Sequence, residues 1–214
     1  MRSGLFMITF MSICNIVTSQ AHGGVEQYYY TGGGVSTIVP KAYYESRHNW
    51  YGEVRYNYEE LQTVSFNAGK MFSNKKALFY SVTPYAGVVL GRLNGGTLGT
   101  NINMEYKSVF FSSESQYTFS FEKRTENFFF NWSELGYQFT GLVYAGLALQ
   151  LTHPYEIQNN WEPGVMMGLT YKNWTFPVYA FNPAGNNRNF VLGINWEWKY
   201  AKSEKSNDDL HLNY

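Results

Sequence analysis

Between Asn189 and Tyr200 the chain alternates with almost no exception. Phe190, Leu192, Ile194, Trp196, Trp198 and Tyr200 share one parity; Val191, Gly193, Asn195, Glu197 and Lys199 share the other. A period of two sends successive side chains to opposite faces of a strand. One face of this strand is therefore apolar and ends in aromatics, while the other turns polar and then charged. A soluble sheet would bury the apolar face. A strand of a membrane barrel would show it to lipid, keep aromatics at the interface and point its polar residues into a lumen. Alternation alone permits both.

The same rhythm recurs along the chain. Trp50, Gly52, Val54, Tyr56 and Tyr58 alternate with Tyr51, Glu53, Arg55, Asn57 and Glu59. Further alternating runs cover 63–71, 78–91, 98–110, 116–122, 143–152, 165–171 and 174–181. Turn composition marks Ser73–Lys76, Asn94-Gly95, Ser112–Ser115, Lys172-Asn173 and Pro183–Asn187. Over Phe128–Phe139 the parity blurs, and a β-bulge would reconcile its two halves. Val35–Glu45 is a weaker strand because it contains Pro40, which cannot donate to a ladder. Counting it gives twelve strands; rejecting it with the first gives ten, and a single-chain bacterial barrel needs an even number. The reading is an all-β fold, a single antiparallel up-and-down transmembrane β-barrel of about twelve strands.

Composition supports the membrane version. Aromatics are 19% of the 214 residues and charged residues 15%, against about 25% charged in a typical soluble domain. Net charge is zero, which gives no pull toward nucleic acid. Residues 1–21 read as a signal peptide, with Arg2, an apolar stretch from Leu5 to Val17, and Ser19-Gln20-Ala21 before the cut. Cys14, the single cysteine, lies inside it, so the expected barrel of 22–200 has neither disulfide nor thiolate metal site. Residues 201–214 form a polar C-terminal tail. Beyond the leader no run of 18 apolar residues exists. A membrane-spanning chain without such a helix must close its strands into a barrel, because hydrocarbon leaves free edges unsatisfied.

Three features weigh against a secreted soluble barrel that carries an apolar ligand. Trp50, Trp174, Trp196, Trp198 and Tyr200 stand at strand ends as candidate membrane-interface aromatics. The opposite parity is rich in small and polar residues, with charges two apart in Glu53/Arg55 and Glu105/Lys107. The exported chain also lacks cysteine.

With its leader, its hairpin rhythm and the run Gly193-Ile194-Asn195-Trp196-Glu197-Trp198-Lys199-Tyr200, the chain resembles the small outer-membrane β-barrel proteins of Gram-negative bacteria. That run is similar to their C-terminal assembly signal, and His48–Glu59 looks like a stretch of uncharacterised porin-like members. The resemblance implies an outer-membrane location, with outer-membrane lipid and the barrel-assembly machinery as partners. The implied role is a narrow channel or a structural membrane protein.

Glu53, Arg55, Asn57, Asn101, Asn103, Glu105, Lys107, Glu122, Gln150, Asn195 and Glu197 are the candidate lumen-lining residues. Eight strands leave an interior just filled by side chains, and 16 to 18 leave an aqueous channel. A barrel of ten or twelve lies between, so these charges either pair into a plug or line a narrow pore. A lipid-modifying enzyme is the alternative, since His48 and His153 fall near strand ends where serine is common. No Gly-x-Ser-x-Gly accompanies them. No two of His22, His48, His153 and His211 have local metal-ligand spacing. No catalytic residue, metal or cofactor is assigned, and the sequence leaves the oligomeric state open.

Overall fold

The computed structural model describes residues 21–199 apart from 33–34, 76, 156–157 and 186. The expected leader up to residue 20, Tyr200 and the tail lie outside the described residues.

The strands are β1 (His22–Gly32), β2 (Val35–Glu45), β3 (Trp50–Tyr56), β4 (Thr63–Lys70), β5 (Phe72–Lys75), β6 (Phe79–Gly91) and β7 (Gly95–Tyr106). β8 (Val109–Ser120), β9 (Phe128–Gln138), β10 (Val143–Pro154), β11 (Asn160–Tyr171), β12 (Trp174–Phe181) and β13 (Asn189–Lys199) complete the series. Apart from β4 and β5, which both pair with β6, each strand pairs antiparallel with its sequence neighbours, β1 pairs with β13, and the β4–β6 pairing closes the ring. β4 and β5 are two pieces of one strand. Gly69 faces Tyr85 and Phe72 faces Val82, a single register on β6 that runs past Met71. The barrel thus has the expected twelve strands, Val35–Glu45 among them.

Pro40 and Pro177 both fit the ladder. Pairing of β2 with β3 covers Lys41–Glu45 and stops at Pro40, while Gln27 still faces Pro40 on the other side. The β12–β13 ladder skips Phe176 and Pro177. In each case the missing N–H falls where no bond is drawn from it.

Connections at one end, beside the start of β1 and the end of β13, are short: 46–49, 76–78, 107–108, 139–142 and 172–173. The other end carries longer ones, including 57–62, 121–127 and 182–188. Outer-membrane barrels keep their short turns in the periplasm and their long loops outside.

The direction of the alternation settles the choice of solvent. Val54, Phe66, Val88, Leu98, Leu135, Leu147, Leu169 and Leu192 are exposed on the outer surface, whereas Arg55, Thr63, Ser65, Asn67, Thr97, Gln116 and Thr118 are buried inside. A soluble barrel has the opposite arrangement. At the short-turn end Trp50, Tyr106, Tyr137, Phe139, Tyr171, Trp174 and Trp196 face outward. Lysines cover three of these rings: Lys70 over Trp50, Lys107 over Tyr106 and Lys172 over Tyr171. Trp198 lies beside Trp196 and opposite Gly23. Tyr56, Phe121, Trp161 and Phe190 do the same service at the other end.

Three sequence expectations are corrected. Ser112–Ser115 is not a turn; it lies within β8, and the chain reverses at Lys107-Ser108, where Lys107 takes the left-handed conformation (φ 55). Ser73–Lys75 continues the strand as β5, which moves the turn to 76–78. β9 contains no bulge, since its registers with β8 and β10 run unbroken. Phe130, Trp132 and Glu134 point inward, and Asn131 and Ser133 point out. These two polar side chains are satisfied on the outer face by β8: Asn131 Nδ2 donates to Ser113 and Ser115, and the Ser133 and Ser113 hydroxyls lie 2.9 Å apart. Ser133 Oγ also donates to Asn131 Oδ1. Side-chain hydrogen bonding on neighbouring strands, invisible to local composition, is what holds serine and asparagine in mid-strand.

Candidate functional site: the barrel interior

A row of charges crosses three strands and ends on a serine of the fourth. Register places Glu26 opposite Lys41, Lys41 opposite Arg55 and Arg55 opposite Ser65. Period two on β3 turns Tyr51, Glu53 and Arg55 to the same side. Arg55 Nε lies 2.5 Å from Glu53 Oε1 and its Nη1 lies 2.7 Å from Glu114 Oε1. Gln116 Oε1 accepts from the same Nη1 at 2.8 Å, and the guanidinium stacks 4.2 Å over the Tyr58 ring. Lys41 Nζ sits 3.3, 3.5 and 3.6 Å from Glu26, Glu53 and Glu114. Tyr51 and Asn67 donate to Glu53, Tyr58 donates to Glu114, and Thr97 donates to Asn67. Buried charges are tolerable only when paired and hydrogen-bonded in this way.

The connection 57–62 adds a lid to this cluster. Asn57 and Gln62 are left-handed (φ 57 each), which folds the segment inward. Asn57 Oδ1 caps the Gln62 amide. Tyr58 meets Phe130 edge-on at 5.6 Å, and the buried Glu59 lies 3.9 Å from Arg55. Burial pushes the Glu59 carboxyl above its usual range, with Arg55 pulling the other way.

The facing wall is aromatic. Trp132 contacts Tyr179 and Phe181 at 4.9 and 5.0 Å, and Tyr28 and Tyr30 approach it from β1. Glu134 accepts from the Trp132 indole and the Tyr179 hydroxyl. Tyr144, Ala148, Met166 and Val191 fill the space behind. Rings fit here because glycines lie beneath them. Tyr28 pairs with Gly193, Tyr43 with Gly24, Tyr85 with Gly99, Phe110 with Gly136, Tyr144 with Gly168 and Phe181 with Gly164. A methyl built on any of the six glycines falls within 3.0 Å of its ring. Cross-strand aromatic–glycine packing of this kind pins register and shapes a sheet.

Between the two walls lies a cavity of about 480 Å³ lined by residues that include Glu26, Lys41, Glu45, Glu105, Glu114, Glu134 and Glu197. The Arg55, Glu53 and Glu59 side chains have no exposed surface; Glu26, Lys41 and Glu114 retain some. Water therefore reaches one side of the charge cluster only.

Of the eleven residues expected to line the lumen, Glu53 and Arg55 are in the buried cluster, and Asn101, Asn103, Glu105, Asn195 and Glu197 face the cavity. Gln150 shares the inward parity of Tyr144 and Ala148 on β10. Three lie elsewhere. Asn57 is a turn residue whose side chain donates to the Ile38 carbonyl, Lys107 is in the β7–β8 turn, and Glu122 is exposed beyond β8, accepting from Asn94. Each follows from where its strand ends, which parity does not reveal. Glu26, Lys41, Glu114 and Glu134 were missed, although each carries charge at an inward parity. His48 is in a turn at one end of the barrel and His153 is on β10 near the other, where it contacts Asn159, so the two share no site. Among the described residues no group of three or more His, Cys, Asp or Glu side chains is placed to hold a metal ion.

No protein-family model and no curated protein matches the chain. Solved structures do. The KdgM porin in complex with disordered oligogalacturonate matches with TM-score 0.60 at 10% identity, covering 81% of this chain and 98% of that one. The NanC porin matches with TM-score 0.58 at 11% identity, covering 84% and 100%. With its apolar outer band, aromatic girdles and polar interior, the chain folds as a porin-like outer-membrane β-barrel.

Proposed function

We propose that the barrel is a narrow, porin-like conduit for small polar solutes across the outer membrane. The observation that carries this reading is the polar cavity of about 480 Å³ between the charge cluster and the aromatic wall, in a ring whose strand number lies between filled and open barrels. Outer-membrane lipid would bathe the outer face, and residues 1–21 and the closing strand would serve export and assembly. The oligogalacturonate of the KdgM complex is a polyanion, and an interior richer in carboxylates than in cations offers it no matching cradle, so that ligand is not carried over. Purified protein added to a planar bilayer should give discrete conductance steps. Heat-modifiable migration from the membrane fraction with no steps in any salt would replace the conduit with a closed, structural barrel. That second reading is favoured by one observation, the full burial of Arg55, Glu53 and Glu59.

A further inference from the structure

We infer that the conduit selects cations over anions. This inference rests on the conduit reading and adds the charge class of what passes. Six carboxylates line the cavity, those of Glu26, Glu45, Glu105, Glu114, Glu134 and Glu197, against one permanently charged base, Lys41. The bases present are already engaged. Lys41 Nζ lies within 3.6 Å of three carboxylates, and the Arg55 side chain has no exposed surface to offer a passing anion.

Three of the six acids are engaged too, Glu26 and Glu114 with Lys41 and Glu45 with His22 at 3.3 Å, and three are not. Glu134 is held only by neutral donors, the Trp132 indole and the Tyr179 hydroxyl, with no cation paired to it among the described residues. Glu105 and Glu197 have no ion-pair partner among the described residues, and both are exposed toward the short-turn end. Asn101 and Asn195 line the cavity, and the buried Oδ1 of each accepts no hydrogen bond, while their Nδ2 groups are spent on Tyr51 and Tyr28. The exposed carboxylates of Glu105 and Glu197 thus meet a permeating ion, while the Asn101 and Asn195 amides stay in the wall. Lys172 and Lys199 stand beside a separate, smaller recess at the rim, with Glu197. Low-dielectric walls focus such a field on the water-filled space, and acidic side chains around a pore favour cations.

The test is the reversal potential of reconstituted protein under a tenfold potassium chloride gradient at neutral pH, kept near 0.1 M so that charges more than about 10 Å apart are screened but the lumen is not. A potassium-over-chloride permeability ratio above one is expected. The double variant Glu105→Gln/Glu197→Gln, which leaves the buried cluster intact, should lower the ratio by roughly fivefold for each of the two charges that a passing ion contacts, the effect of one unit charge at contact distance in water. Heat-modifiable migration of the variant confirms that it folds. Conduction with a ratio at or below one overturns the inference and leaves the conduit standing. A ratio above one that the double variant does not lower overturns the assignment to this cavity. Absence of current in any salt overturns the conduit and the selectivity together.

Discussion

Glu53 and Arg55, two residues apart on β3, point into the barrel together and form the closest ion pair among the described residues, 2.5 Å from Nε to Oε1 with neither side chain exposed. The pair is the hub of the interior, because Arg55 also reaches Glu114 and Glu59 while Glu53 also reaches Lys41. Removing the guanidinium would take away the only cation paired with Glu59 among the described residues and leave Glu53 and Glu114 with Lys41 alone. Arg55→Met should therefore cost about 3–5 kcal/mol, read as a shift of the urea unfolding midpoint in lipid vesicles. Arg55→Lys should recover only part of it, since an ammonium cannot present Nε and Nη1 as a fork. Equal stability of all three proteins would show that the cluster is decorative.

Glu59 makes stability depend on pH. Its folded carboxyl is raised above the unfolded value, by burial first and against the pull of Arg55. A raised carboxyl stabilises the fold fully below its unfolded pKa, and that contribution is lost as pH rises through the folded pKa. Between pH 4 and pH 8 the native protein should thus lose stability relative to Glu59→Gln. Unfolding midpoints of the two proteins across that range provide the check; parallel curves would mean that Glu59 keeps its unfolded pKa.

Leu147, in the middle of β10, is 60% exposed on the outer surface. Leu147→Arg should cost about 2–4 kcal/mol if this surface meets the bilayer midplane. The same exchange on a water-facing surface would be nearly neutral. Folding yield and unfolding midpoint in vesicles separate the two cases.

Tyr144 occupies the volume that a side chain at Gly168 would need. Gly168→Val should cost about 1–3 kcal/mol through overpacking. In a Tyr144→Ala background the same change should cost much less, so the double variant should be less destabilised than the sum of the singles in a double-mutant cycle. Additive costs would show that the ring does not rest on the glycine.

Much of the wall was legible in the chain. Period two located the twelve strands, and the parity of Glu53 with Arg55 placed both on one face. The orientation of that face was not in the pattern itself, because a soluble barrel alternates identically; aromatic strand ends and scarce charge supplied the argument. Strand ends were the weak point. Lys107 looked like a continuation of the Glu105 face, but its left-handed backbone makes the turn. Ser112–Ser115 looked like a turn, but Asn131 and Ser133 of β9 hold it in the sheet. The aromatic wall was hidden for a related reason. Tyr28, Trp132 and Tyr179 are residues that a membrane strand can equally show to lipid, and only closure of the ring tells which of them meet across the interior.

The rings that rest on glycines have a consequence for how such a barrel can change over generations. Tyr85 with Gly99, or Phe110 with Gly136, is one unit of size shared between two strands. Shrinking the ring alone leaves bare backbone, and enlarging the glycine alone drives the ring out of its place. The passable route exchanges both together, or moves the ring to the partner strand. Among descendants of this chain these positions should therefore be inherited as couples, each pair varying jointly while the cross-section that it fills stays the same.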